Sequence, residues 1–394
     1  MSHDKSQIRK FPLLPFSQLV YEMTRWYPSV YMQHMELRVA GGAECIERWQ
    51  RTLETAFRNH PVFSSRIDRR VQQYSEPAES VLKGKYHRVT LQAKGDDLLI
   101  DGYISRILGD GTSLVILMDD IRRAYNEEQL PNDDYWGYLE YVERQKQSEQ
   151  YRISREWLIS EFSDESVPVH PTLDRHLWTL FPPKVGVYKT DYSDLHESVY
   201  RFAKEHILSL DCFFSLCAAL AIAEYCGTDA AALTFAYAGR ERPEEQRVFG
   251  SLHRDIPFQI KNLKSEKIVP FKGKEIRNQK SDLIRQARNQ IRSGIAHSDY
   301  PYTLTTPYNK RWNYAVNVLR VEDEYELAKI LPQPVELVPS SFQKYAYALL
   351  DVEIHETYEH LSLVYRYSAT HYKESSVRRF AALVRKYAEW LLKK

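Results

Sequence analysis

The residues best suited to chemistry in this chain lie together in one short segment, Ser105-Arg106-Ile107-Leu108-Gly109-Asp110-Gly111, followed by Ser113. It combines a hydroxyl, a guanidinium and a carboxylate, and an Asp-Gly turn directly follows them. The preceding run, LLIDGYISRIL at 98–108, reads as a strand, and a helix is expected from Ser113. A strand entering a helix through a tight turn holds side chains and backbone N–H groups in one place, as a catalytic or anion-binding site requires. A plainer reading is that Asp110 and Ser113 only cap the helix. Both stand at this point.

Elements with strand and helix periods alternate along the chain, so the fold class is α/β. Helices are expected at 17–25, 46–57, 135–162 (two), 199–206, 212–225, 274–295 and at the C-terminus, where Val377, Phe380, Leu383, Val384, Tyr387 and Leu391 share one face. Strands are expected at 31–39, 62–67, 86–92, 231–237, 256–261, 314–319, 346–354 and 361–367. In the first of these, Met35, Leu37 and Val39 alternate with His34, Glu36 and Arg38. The aperiodic stretch with Pro168, Pro171, Pro182 and Pro183 marks a linker at 166–184. It divides an N-terminal subdomain, 1–165, from a C-terminal one, 185–394.

With 54 Lys and Arg against 53 Asp and Glu, the chain lacks the positive excess of a nucleic-acid binder. The basic face of the 274–295 helix reads as solvated. No apolar run approaches the ~20 residues of a membrane span, and the N-terminus lacks a signal-peptide core, so a membrane role is not expected. The four cysteines, Cys45, Cys212, Cys217 and Cys226, show no CxxC pair, so no metal site is expected from spacing. Three of them sit in an apolar stretch and read as core. A reducing, cytoplasmic location follows as the expectation.

The chain resembles the condensation domains of nonribosomal peptide synthetases, within the chloramphenicol-acetyltransferase-like acyltransferases. Several segments carry the likeness in family order. The opening FPLLPFSQLVYEM at 11–23 comes first, then Asn59-His60-Pro61-Val62-Phe63-Ser64 for the early Arg-His-Glu-x-Leu-Arg-like signature. Residues 105–111 align with the HHxxxDG motif. Ala238-Gly239-Arg240 with Val248-Phe249-Gly250-Ser251-Leu252 and Ile256-Pro257 resemble the crossover. Ala296-His297-Ser298-Asp299-Tyr300-Pro301-Tyr302 resembles H-x-D-x-P-F, and 313–319 the strand F-x-V-x-F-N.

The resemblance implies two related α/β sandwich subdomains in a V shape, bridged by excursions at 239–257 and 332–345, with a tunnel between them. There the amine of one carrier-bound substrate attacks the thioester of another. It implies no bound cofactor, the phosphopantetheine arm of an acyl or peptidyl carrier protein as substrate carrier, and a site holding Arg106, Asp110 and Asn317. Asp110 is implied to be structural, paired with Arg240 or, alternatively, Arg66.

The departures bear on the chemistry. The motif's second His serves as base or positions the nucleophile. Here that place holds Arg106, whose guanidinium stays protonated and only donates. Ser105 replaces the first His and Ser64 the closing Arg of the early signature, while Asp110 and Gly111 persist. One reading is a condensation-like domain without catalytic His that recruits a carrier protein or another biosynthetic enzyme. A second is an acyl or aminoacyl transferase forming an amide or ester without a base, by proximity of two tethered substrates, with Arg106 stabilising an oxyanion. A third is cyclisation or dehydration in the same tunnel. His253, in the crossover segment near the family's tunnel, is a candidate for shaping the site or supplying the missing base, the plainer reading being a surface or turn histidine.

Overall fold

The computed structural model describes residues 10–26, 31–75, 80–176, 184–263, 274–301, 315–321, 329–332, 335–338, 348–358 and 360–393, with side chains of the 274–301 segment from 280 onward. In chain order the elements begin β1 (Lys10–Pro12), α1 (Pro15–Trp26), β2 (Met32–Val39), α2 (Ile46–Asn59), β3 (Ser65–Asp68), β4 (Val71–Tyr74), β5 (His87–Lys94), β6 (Asp97–Ser105), α3 (Gly111–Tyr125) and α4 (Tyr135–Gln145). There follow α5 (Glu149–Phe162), β7 (Val185–Asp191), α6 (His196–His206), α7 (Leu210–Cys226), β8 (Ala231–Tyr237), β9 (Arg254–Ile260) and α8 (Lys274–Ala296). The chain closes with β10 (Asn317–Val321), β11 (Val335–Val338), β12 (Leu350–Glu356), β13 (Leu361–Ser368) and α9 (Glu374–Leu392).

Two compact units result. The first gathers Met1–Lys146, Ala238–His253 and Glu322–Phe342, and the second Gln147–Tyr237, Arg254–Val321 and Gln343–Lys394. The division falls before α5 rather than in the proline-rich stretch at 166–184, of which 177–183 lie outside the described residues. The reason is packing: Leu158 and Phe162 of α5 bury themselves with Ala232, Tyr300 and Ala315 of the second unit.

In the first unit the described strands form a sheet of order β11-β2-β6-β5, antiparallel throughout, and a small sheet β1-β4-β3. Strand alternation gives the larger sheet two distinct faces. Leu98, Ile100 and Ile104 of β6 and Leu37 and Val39 of β2 are buried, whereas Asp97, Asp101, Tyr103, His34 and Glu36 face the other way and stay half-buried. Helix α2 follows its amphipathic pattern, burying Trp49, Thr52, Leu53, Ala56 and Phe57.

The second unit holds a mixed sheet of order β7-β13-β12-β10-β8-β9, in which β10 runs parallel to β12 and β8. Its core includes α7, buried on every side from Leu210 to Ala223 apart from Asp211. The closing helix α9 buries Val377, Phe380, Val384, Tyr387 and Leu391, five of the six expected, with Leu383 partly buried beside them.

Three differences from the sequence reading have local causes. The expected strand at 62–67 begins as a 3-10 turn, Pro61–Ser64, because Pro61 lacks an N–H and starts a helical turn. The strands β4 (VQQY), β7 (VGVYKTD) and β11 (VELV) are short or polar and gave no signal. The strand expected at 346–354 is described only as β12, with 346 and 347 outside the described residues, and the same holds for 313 and 314 ahead of β10. Among the described residues no single helix is long and apolar enough to cross a membrane. The bent pair of α6 and α7 passes that test only when joined.

Candidate functional site

Asp110 caps α3 in a reciprocal box. Its Oδ1 accepts from the Ser113 N–H at 2.9 Å, and the Ser113 hydroxyl accepts from the Asp110 N–H at 3.3 Å. A cap alone would leave most of that carboxylate to solvent, yet both oxygens are used. Arg240 grips them bidentately, Nη2 to Oδ1 and Nη1 to Oδ2, each at 3.0 Å. Oδ2 also accepts from the N–H groups of Leu252 at 2.9 Å and His253 at 3.0 Å. The side chains of Asp110 and Arg240 are each only 5% exposed, so the pair is dry. Nη1 of Arg240 also reaches the carbonyl of Ala238 and Nη2 those of Val248 and Gly250, each at 3.1 Å, while its buried Nε finds no hydrogen-bond partner among the described residues.

The electrostatics follow from that arrangement. Burial alone would push the Asp110 carboxyl upward, but the charge and hydrogen bonds of Arg240, aided by His253 and Ser113, hold it below the usual carboxylate range. It is an ionised group in a fixed cradle. Gly239 adopts φ 65°, a left-handed conformation that favours glycine, just before Arg240 turns inward.

At the junction itself, Ser105 is fully buried. Its N–H donates to the Tyr86 carbonyl at 2.8 Å, and its hydroxyl accepts from the Ile107 N–H at 3.3 Å. The Arg106 N–H donates to the Tyr31 carbonyl at 2.8 Å, and its side chain is half-buried. The two glycines of the turn differ. A Cβ on Gly109 would stand 2.5 Å from the Phe249 ring and 2.9 Å from Ser113 Cβ, whereas one on Gly111 would meet nothing within 4 Å. Close packing therefore demands glycine at 109 and not at 111.

Of the remaining sequence candidates, His253 reaches the junction through its backbone, while its ring lies edge-on to Phe16 at 3.8 Å. Arg66 is exposed on β3, and Arg240 rather than Arg66 pairs with Asp110. Asn317 opens β10 in the second unit, where its Oδ1 accepts from the Thr234 hydroxyl at 3.2 Å. His297 stacks on Trp157 at 4.4 Å and bonds Ser154 within the second unit. Burial pushes the Cys212 thiol up to about 12 and Cys217 well above its ordinary value, which suits core residues rather than nucleophiles.

A second buried network escaped the sequence reading. His60, at the end of α2, sits between two carboxylates, with Nδ1 2.8 Å from Asp133 and Nε2 3.2 Å from Asp120. Asp120 also accepts from Asn59 at 2.8 Å and pairs with Arg247, which reaches Asp119 at 2.9 Å. The Phe249 N–H donates to Asp133 at 3.1 Å. Burial lowers the His60 pKa, but the carboxylates of Asp120 and Asp133 on either side of the ring outweigh it and raise the net value. Burial raises that of Asp133, and His60 only partly counters it. The available signal was Asp120 itself, a charge on the apolar face of α3 between Leu117 and Ile121.

The family model of the condensation domain matches residues 106–393. The chain belongs to the condensation-domain family. It is a condensation-domain-like protein of nonribosomal peptide or related secondary-metabolite biosynthesis, and the family's chloramphenicol-acetyltransferase-like two-subdomain fold is present. The matched stretch takes in Arg106, Asp110, Arg240 and Asn317 but not Ser105. Among solved structures, the epimerization domain from the third module of tyrocidine synthetase B is similar at TM-score 0.73 and 15% identity, with 99% of each chain covered. The X-domain in its complex with OxyB from teicoplanin biosynthesis gives 0.75 at 12% identity, over 99% of this chain and 94% of that one. A variant starter condensation domain of rhizomide synthetase with C8-CoA gives 0.72 at 14%, over 96% and 95%. At these identities the likeness is one of fold. No curated protein matches this condensation domain.

Proposed function

We propose that this condensation domain works without a catalytic histidine and serves to recruit a carrier protein, with its phosphopantetheine-borne intermediate, or a partner enzyme of the same biosynthesis. The observation that carries the reading is the division of labour at the junction. Asp110 is wholly engaged by Arg240, Ser113 and two backbone N–H groups, and in the alignment to the family motif Arg106, which has no proton-accepting nitrogen, takes the place of the base. The X-domain with OxyB supplies a precedent for a chain of this fold engaging a partner enzyme. Four cysteines present as thiols suit a reducing, cytoplasmic setting.

The test loads carrier proteins with acyl and aminoacyl phosphopantetheine, measures their binding to the domain, and follows product by mass spectrometry. Saturable carrier binding with no amide or ester product, unchanged in Arg106→Ala, is the expected outcome. Product formed by the native chain and lost in Arg106→Ala would overturn it in favour of the base-free transferase.

A further inference from the structure

The antiparallel register of β2 and β6 sets Glu36 directly opposite Asp101 and His34 opposite Tyr103, on the sheet face turned away from the apolar core. Opposed residues in such a ladder have Cβ atoms about 5 Å apart, and two like charges so placed destabilise the pair. Arg38, the next base along β2, does not relieve them, because it is held by Asp97 at 2.5 Å. His34 instead turns Nε2 toward the acids, 2.6 Å from Asp101 Oδ1, with its ring stacked on Tyr103 at 4.4 Å and 21°. Its side chain is only 9% exposed, so the ring is fixed in that aim. One imidazole nitrogen and two carboxylate oxygens thus lie within 4.8 Å of one another.

We propose that His34, Glu36 and Asp101 form a site for a divalent first-row transition metal. One imidazole and two carboxylates make a three-ligand protein set of the borderline kind that such ions take, leaving further positions to water or an exogenous ligand. The ion replaces the hydrogen bond between His34 and Asp101. In the metal-bound form the Nε2 lone pair takes the ion and the ring's single proton sits on Nδ1, any second proton passing to solvent. Two strands and a ring stack already hold the donors, so little ordering is needed on binding. The site ties β2 to β6, with Asp101 four residues before Ser105 and His34 two residues after Met32, the ladder partner of Ser105. No spacing in the sequence announces it, since strand pairing alone brings residue 101 to residues 34 and 36.

The test titrates the full chain with Co(II), following its d–d absorption, and displaces it with Zn(II). One equivalent should bind saturably, and thermal unfolding should move upward relative to the chain in chelator. Glu36→Gln, Asp101→Asn and His34→Gln should each weaken binding at least tenfold and abolish the shift. Glu36→Gln guards against a folding artefact: it relieves the carboxylate opposition, so in chelator it should melt at or above the native temperature while losing metal. Absence of stoichiometric binding, or binding unchanged in all three variants, overturns the site.

Discussion

Two buried polar clusters fasten the returning segment 238–253 to the rest of the first unit, and they are built on opposite principles. At the α3 junction the charges of Asp110 and Arg240 match one to one, and every carboxylate oxygen is hydrogen-bonded. Around His60, one titratable ring is set among Asp120 and Asp133, with Arg247 as the outer cation. The first cluster keeps the same charge across ordinary pH. The second depends on where its protons are. A closed ion pair therefore suits a position that must not change, and a histidine between acids makes an attachment that responds to conditions.

The sharpest way to break the comparison is Asp110→Asn, which leaves Arg240 buried without its counter-charge. A loss of about 3–5 kcal/mol is expected in denaturant unfolding. Because the folded pKa of Asp110 is depressed, its contribution is complete above the unfolded value near ~3.9 and fades as pH falls toward the folded one. The variant should accordingly show a flatter acid limb than the native chain.

His60→Gln should cost less, about 1–3 kcal/mol, since it leaves buried acceptors poorly satisfied without stranding a guanidinium. Its pH signature has the other sign. A raised histidine pKa gives stability that is present below the unfolded value near ~6.5 and is lost as pH rises through the folded one. The raised pKa of Asp133 acts in the same direction from its ordinary value upward. Native stability should fall with rising pH through and above ~6.5, and His60→Gln should remove that slope. An equal slope in both proteins would mean that His60 carries no proton linkage.

Smaller still is the contrast within the turn. Gly109→Ala drives a methyl into Phe249 and should cost about 1–3 kcal/mol, whereas Gly111→Ala points into open space and should lie within about 0.5 kcal/mol of native. Thermal unfolding of the two single variants reads the difference directly.

These contrasts also mark what the sequence made legible. Helices α2 and α9 declared themselves through apolar spacing, α7 through a continuous apolar run, and the Asp-Gly turn through its position between a strand and a helix. The partnership of Asp110 with Arg240 came from the family resemblance, because the two lie 130 residues apart and no local pattern joins them. His60 and Asp133 remained hidden for the same reason, being 73 residues apart and meeting only in the folded chain. Alternation in β2 showed that His34 and Glu36 share a face, but only the register of β6 supplied Asp101. At four residues each, β4 and β11 are too short for an alternation to distinguish them from loops.

The split construction of the first unit has a consequence for synthesis. As the chain leaves the ribosome, β2, β6 and α3 emerge long before the residues that complete them. Arg240 arrives 130 residues after Asp110, and β11, which covers the free edge of β2 by pairing Val335 with Val39, comes later still. Until then the nascent sheet carries an open hydrogen-bonding edge and a carboxylate destined for a dry interior, both hazards for aggregation. Maturation of the first unit must therefore wait for much of the second to be translated, and a chain arrested near residue 237 would hold its most conspicuous motif without the cation that stabilises it.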